Sequence, residues 1–268
     1  VNKVVIVGAC GRMGQALLRC ARRVEGIAVA GAIEAAGHPG LGRDAGLAAG
    51  VGEAGVALTD DLKTALSNAD VLIDFSAHEA VPVNMRHAVE LRRAVVLGTT
   101  GLNDAERAAV QRAAQLIPVV WAPNMSLGVN LLFALVEKAA GILGADYDVE
   151  IIETHHRFKK DAPSGTAIRL GEKVAAGRGQ VLSSVANYGR EGLVGERPRG
   201  QIGIHAVRAG DAIGDHTVMF ATEGERVEIS HRATSRDAFA MGALHAARWV
   251  ASQRPRIYDM QDVLGLNR

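Results

Sequence analysis

Val4-Val5-Ile6-Val7-Gly8-Ala9-Cys10-Gly11-Arg12-Met13-Gly14 decides the fold. Four consecutive β-branched apolar residues, within a strand read from Lys3 to Val7, suit a strand buried on both faces, as in parallel sheets covered by helices. Glycines at 8, 11 and 14 then turn the chain into a helix read from Arg12 to Arg23. A glycine turn between strand and helix lets backbone amides and the helix dipole approach an anion, and the natural ligand is a dinucleotide pyrophosphate. The spacing is G-x-x-G-x-x-G instead of G-x-G-x-x-G, and three glycines also serve an ordinary tight turn. Glu34 strengthens the nucleotide reading: it closes the next strand, Ile27 to Ile33, twenty residues after Gly14, where a carboxylate can accept from ribose hydroxyls.

The alternation of strand and helix continues through strands at Ala69–Ser76, Ala94–Gly98 and Val119–Ala122, with helices at Glu79–Arg93 and Asp104–Ile117. This is the βαβ rhythm of an α/β domain. Two loops, Gly98-Thr99-Thr100-Gly101 and Ala122-Pro123-Asn124-Met125, follow strands and so fall at the crevice where such sheets bind ligands, within reach of ribose and nicotinamide. Turn formation and helix capping also use Thr, Asn and Gly. An NADP site wants an arginine beside the acid, whereas Ala35 and Ala36 follow Glu34, so NADH is expected to serve at least as well as NADPH. The Gly- and Ala-rich stretch from Gly37 to Gly55 is read as a surface excursion without chemistry.

The pattern changes near Asn124. Ser126 can cap a long apolar helix, followed by a strand at Tyr147–Thr154, a helix at Thr166–Ala176 and strands at Gln201–Arg208, His216–Ala221 and Arg226–His231. Their alternation suggests a mainly antiparallel sheet covered on one face. A last helix, Ala238–Ser252, returns to α/β character. The length of 268 residues and a hydrophobic content of 48% support two cored domains and exclude dominant disorder. Thirty basic and twenty-nine acidic residues, with no basic run, argue against a nucleic-acid partner. Two cysteines, Cys10 and Cys20, make no disulfide framework and suit a reducing, cytoplasmic setting. The apolar run before the first glycines is short for a signal peptide, and no uninterrupted apolar stretch predicts a membrane span.

The densest polar run is Glu153-Thr154-His155-His156-Arg157-Phe158-Lys159-Lys160-Asp161-Ala162-Pro163-Ser164-Gly165-Thr166. Its cations suit an anionic small substrate, and the helix start after Pro163, with the Ser164 or Thr166 hydroxyl, makes a second carboxylate receptor. Neighbouring histidines on a strand face opposite ways, so one must leave strand geometry to share a site with the other. No metal is expected: there is no zinc-binding histidine helix, and adjacent lysines and arginine repel a cation.

With VVIVGACGRMG (4–14), DFSAHEA (74–80), VLGTTG (96–101), APNMSLGVN (122–130), ETHHRFKKDAPSGTA (153–167), GERPRGQIGIHAVRAGDAIGDHTVMFA (195–221), ISHRATSR (229–236) and YDMQDVLGL (258–266), the chain resembles the bacterial dihydrodipicolinate reductases, also called 4-hydroxy-tetrahydrodipicolinate reductases, over nearly its whole length. The resemblance implies an α/β Rossmann-type parallel-sheet domain from residues 1–126 and 236–268. An inserted α+β domain, residues 127–235, would bind substrate and build a homotetramer. It implies reduction of a small cyclic dicarboxylate by NADH or NADPH. His155 would donate or accept the proton, Lys159 would donate one, and His156, Gly165 and Thr166 would bind substrate. Cofactor contacts would come from Gly8, Ala9, Cys10, Gly11, Arg12 and Met13 in the turn and from Glu34. Gly98, Thr99 and Thr100, then Ala122, Pro123, Asn124 and Met125, would complete them. Ala35 stands where many relatives carry arginine, and Cys10 where glycine is frequent. A thioester-forming dehydrogenase would need a cysteine beyond Cys20, and a DNA-binding redox sensor would need a basic face; the sequence has neither.

Overall fold

The structure, a computed structural model, describes residues 1–267. The chain forms two compact units, Val1–Leu127 with Arg236 onward, and Gly128–Ser235. The first begins with β1 (Asn2–Val7), α1 (Arg12–Ala21), β2 (Ile27–Ile33), α2 (Ala45–Ala48), β3 (Leu58–Thr59) and α3 (Leu62–Ser67). It continues with β4 (Val71–Asp74), α4 (Val81–Glu90), β5 (Ala94–Leu97), α5 (Asp104–Ala113) and β6 (Pro118–Trp121). The second carries α6 (Leu127–Leu143), β7 (Asp148–His155), α7 (Gly165–Gly177), α8 (Leu182–Val185), β8 (Ala186–Asn187), β9 (Ile202–Arg208), β10 (Gly214–Thr222) and β11 (Glu225–Ala233). The chain then returns to the first with α9 (Asp237–Val250), β12 (Arg256–Tyr258) and α10 (Met260–Leu264).

In the first unit the seven strands run β12-β6-β5-β4-β1-β2-β3, every junction parallel. Alternation along β1 explains why its run is apolar throughout: Val4 and Ile6 enter one core with Leu17 and Leu244, while Val5 and Val7 enter another with Leu72 and Val95. Ala240, Ala243, Ala246 and Ala247 give α9 a fully buried face of small side chains in the first of these cores. The chain order turns back between β1 and β4, so the crevice opens beyond their C-terminal ends, at Gly8 and Phe75.

Several short elements escape sequence reading. β3 and β12, of two and three residues, are too short for any periodicity to register. The Gly37–Gly55 excursion is more ordered than its composition suggests. Asp44 accepts from the amides of Gly46, Leu47, Ala54, Gly55 and Val56, closing the segment around one carboxylate. Those bonds, the Ala54 amide foremost, lower its pKa to about 2 against desolvation.

The second unit's sheet runs β11-β10-β7-β9-β8 and is mixed, where sequence alternation suggested mainly antiparallel. β10 is antiparallel to β7 and β11, but β9 is parallel to β7 and β8. α7 lies between β7 and β9 in the chain and supplies the crossover that a parallel junction requires. The core packs Val149, Ile151, Val218 and Phe220 of the sheet against α6 and α7. Leu127–Asp146 is long and apolar enough to cross a membrane by length and composition. Yet it carries Glu137, which pairs with Lys173, and buries Val129, Leu132, Phe133, Val136 and Ala140 in this core, as a core helix does.

Candidate active site

In the first unit, the glycine turn is held by its own amides. Gly8 and Ala9 donate to Ile33 O at 3.0 and 3.1 Å, Gly11 donates to Gly8 O, and Cys10 donates to Glu34 Oε1 at 2.7 Å. The amides of 8–11 are therefore spent on the protein, and the anion receptor narrows to the first turn of α1. Its N-cap, Gly11, contributes no side-chain cap. Gly8 needs its glycine twice over, with φ at +76° and a would-be Cβ 2.8 Å from Phe75 O.

A cavity of about 640 Å³ opens beside this turn and brings together Gly8, Gly11, Glu34, Ala35 and Phe75. Asp60 and Asp61 also line it, because Ile33 is in register with Thr59 and carries Glu34 beside the end of β3. The glycines, the uncapped helix start and the carboxylate at the strand end fit a dinucleotide. The cavity's carboxylates, Glu34, Asp60 and Asp61, outnumber its one lysine, Lys63, which is paired with Glu90, and do not favour an added 2′-phosphate. Of the other turn residues, Arg12 is exposed, Ala9 is fully buried, and Cys10 and Met13 pack against the core.

The remaining expected cofactor residues divide. Thr99, Thr100 and Pro123 share a second cavity of about 390 Å³. Gly98 lies under Phe75, whose ring would be 2.2 Å from a Cβ there. Ala122 and Met125 are buried in the core, and Asn124 Oδ1 accepts from the Ser126 amide at 2.9 Å. Asp74, which the sequence reading treated only as part of a strand, anchors these loops. Completely buried, it accepts from Ser76 N and Oγ, Asn84 Nδ2 and Thr99 Oγ1. Gly242 of α9 admits the 122–125 loop, since a Cβ would lie 1.8 Å from Met125 O.

In the second unit the polar run divides at the end of β7. His155 is its last residue and His156 has left the strand, its amide donating to Ala212 O at 2.7 Å. His155 is largely buried and its Nδ1 meets Glu153 Oε2 at 2.5 Å. Arg208 donates to both Glu153 oxygens at 2.9 Å, and the Ser164 amide to Oε1 at 3.0 Å. Burial alone would raise the Glu153 carboxyl, but Arg208, His155 and the Ser164 amide outweigh it and hold it below its ordinary value.

Ser164 caps α7, its Oγ accepting from Ala167 N at 3.1 Å, so the exposed Gly165 and half-buried Thr166 form the first turn beyond. His216 Nε2 meets the same Oγ at 3.1 Å, and its ring stands edge-on to His155, centroids 5.3 Å apart. Burial, then the neighbouring His155, lowers the His216 pKa to about 4, so this imidazole is neutral near pH 7. Lys159 Nζ contacts both Asp161 oxygens at 2.8 Å, which holds the Asp161 carboxyl low.

His155, Lys159 and His156 are thus on one short segment, with Gly165 and Thr166 at the helix start it leads into. Glu153, Arg208 and His216 are the members of this cluster to which sequence reading gave no role. Only Glu153 left a local signal, since residues two apart on a strand share a face. Among the described residues no group of His, Cys, Asp and Glu has the makings of a metal site.

Known proteins match the chain over nearly its whole length. A family profile described as dihydrodipicolinate reductase, N-terminus, matches residues 2–125, and one described as dihydrodipicolinate reductase, C-terminus, matches residues 128–264. The chain is 53% identical over 269 aligned positions to a 4-hydroxy-tetrahydrodipicolinate reductase of Anaeromyxobacter dehalogenans strain 2CP-1, covering 99% of this chain and 98% of that one. It is 49% identical to a protein of the same name from Citrifermentans bemidjiense, covering 98% and 99%. A dipicolinate-bound dihydrodipicolinate reductase from Paenisporosarcina sp. TG-14 superposes with a TM-score of 0.74 at 25% identity, covering 98% of each chain. An amine dehydrogenase from Mycobacterium smegmatis, 12% identical, shares the fold with a TM-score of 0.64 over 96% of this chain and 94% of that one.

Proposed function

The chain belongs to the dihydrodipicolinate reductase family, and from that premise we propose that it reduces 4-hydroxy-tetrahydrodipicolinate (dihydrodipicolinate) to tetrahydrodipicolinate with NADH or NADPH in lysine and diaminopimelate biosynthesis. The observation that carries the reading is the combination of a dinucleotide cradle in one unit with a buried Glu153–His155 pair beside a capped, cation-flanked helix start in the other.

When bound, the dinucleotide supplies a hydride. The turn from Gly8 to Met13 with Glu34 would hold its adenosine and pyrophosphate. The loops at Gly98, Thr99 and Thr100 and from Ala122 through Met125 would hold its other half. In the second unit, the α7 amides at Gly165 and Thr166 receive one substrate carboxylate, and His156 with the basic loop receives the other. Lys159 or His155 would donate the proton that balances the hydride, and His155 would accept one when the site is returned to its starting state. One carbon gains hydride, the neighbouring nitrogen or carbon gains the proton, and water leaves when the hydroxy form is the one bound.

The direct test is the fall in absorbance at 340 nm when the purified chain meets NADH or NADPH and the freshly made condensation product of aspartate semialdehyde and pyruvate. Oxidation is expected with both, kcat/KM for NADH being no lower than for NADPH because Glu34 and Ala35 offer a 2′-phosphate a carboxylate and no guanidinium. Ala35→Arg should raise kcat/KM for NADPH about tenfold, the worth of one charge-assisted hydrogen bond. No oxidation would remove the function, and a native preference for NADPH above about tenfold would remove the cofactor reading.

A homotetramer assembled through the second unit is supported by its sheet. One face covers the core, while the other leaves Ile152 37% and Val207 41% exposed. Light scattering should report four chains of 28.1 kDa, and Ile152→Glu should lower that number; a native mass of one chain would overturn the assembly. Two free cysteines, Cys10 half-buried and Cys20 buried, suit the cytoplasm.

A further inference from the structure

Glu153 is a buried group of the second unit with an unusually full set of partners. It is wholly withdrawn from solvent and accepts from His155 Nδ1, from two nitrogens of Arg208 and from the Ser164 amide. Stability alone is a poor reason for such a group, because a buried ion pair gains little over apolar residues of the same volume. Its donors are more telling: one is the histidine read as the proton-transfer group, and another begins the helix read as the carboxylate receptor.

Resting on that reading of His155, we propose that Glu153 is a positioning residue that holds the His155 ring with its hydrogen on Nδ1 and leaves Nε2 as the nitrogen that works on the substrate. A carboxylate only accepts, so the nitrogen facing it carries the hydrogen. Strand alternation places residues 153 and 155 on one face of β7, and neither can turn away without breaking the ladder to β9 and β10. Arg208, in register with His155 on β9, fills both carboxylate oxygens and keeps Glu153 ionised. On the far side of the ring, Gly214 leaves Nε2 clear: a Cβ there would lie 3.0 Å from it. His216, edge-on to His155 and neutral near pH 7, adds no charge to compete for the proton. This is the division of labour of a carboxylate–histidine pair, in which the acid sets tautomer and orientation and is not itself protonated.

The test is a double-mutant cycle of kcat over the wild type, Glu153→Gln, His155→Ala and the pair, run across pH with saturating dinucleotide. The amide in Glu153→Gln can donate to Nδ1, moving the hydrogen to Nε2. The expected result is a loss in kcat of about 10²-fold with little change in KM for NADH. Glu153→Asp should recover part of that loss, and the double variant should be no slower than His155→Ala. A Glu153→Gln rate within about twofold of wild type, or losses that multiply in the double variant, would overturn the proposal. If His155→Ala alone runs at the native rate, the reading of His155 fails instead. Nitrogen NMR of the wild-type histidines needs no variant: His155 must show a protonated Nδ1 and a bare Nε2 when neutral, and the reverse tautomer overturns the assignment.

Discussion

Replacing His155 or Lys159 with alanine should lower kcat by about 10²-fold or more, the size expected for the loss of the acid–base group proposed at each. The two variants are not equivalent as tests. Removing the His155 ring leaves Glu153 buried, though still matched by Arg208, so a modest loss of stability accompanies the loss of rate. Removing the Lys159 ammonium leaves Asp161, 66% exposed and readily hydrated, so its stability cost is small and its rate effect the cleaner of the two. A hundredfold loss corresponds to about 2.7 kcal/mol of transition-state stabilisation. Because Lys159 is also a cation in the site proposed for a dianion, its removal should raise KM for the substrate as well and leave KM for NADH where it was. Turnover near the native rate in both variants would leave the polar segment without a chemical role.

Gly14→Ala should disable the dinucleotide site and destabilise the chain together. The added methyl would sit 2.2 Å from Gly8 O and 2.5 Å from both Ala9 Cα and Ala9 O. All three are backbone atoms of the turn, which is itself bonded to β2 through Gly8 and Ala9, so the clash is relieved only by moving α1 off the strand. Overpacking of this kind costs about 1–3 kcal/mol or more. At about 2–4 °C per kcal/mol for a chain of this size, Tm falls by several degrees, and KM for NADH rises about tenfold or more as the receptor amides are displaced. Gly11→Ala is the contrast: its Cβ would meet only Gly8 O, at 3.2 Å, with φ at an ordinary −69°. Thermal scans should therefore rank Gly14→Ala well below Gly11→Ala, and equal Tm values would contradict the packing argument.

The parts legible in the sequence were those whose cause is local. β1, the glycine turn, α1 and β2 with Glu34 lie within 34 residues, and period, turn chemistry and spacing all point the same way. His155, His156 and Lys159 stood out as one polar run. The groups that complete their environment did not, because Arg208 lies 55 residues from Glu153 and His216 lies 52 from Ser164. Only the register of β7 with β9 and β10 assembles them. The mixed character of the second sheet was hidden for a related reason, since a strand covered on one face alternates whether its neighbour runs with it or against it. In the glycine turn the sequence points to a helix start as the ligand site, but it does not reveal that Gly8, Ala9, Cys10 and Gly11 spend their amides on Ile33, Glu34 and the turn itself.

The first unit is made from both ends of the chain, and this sets an order for its birth on the ribosome. Residues 128–235 are continuous, so the second unit is complete as soon as they have emerged. The first unit at that moment lacks α9 and β12. Leu17 and Ile6 have no Leu244 or Ala243 to pack against, and β6 is an open edge. The 33 residues from 236 to 268 take about 2–7 s to synthesise at ~5–20 residues per second. Until they are added the apolar core of the first unit lacks its cover, and a chain released at that point should be left with an incomplete first unit prone to aggregate.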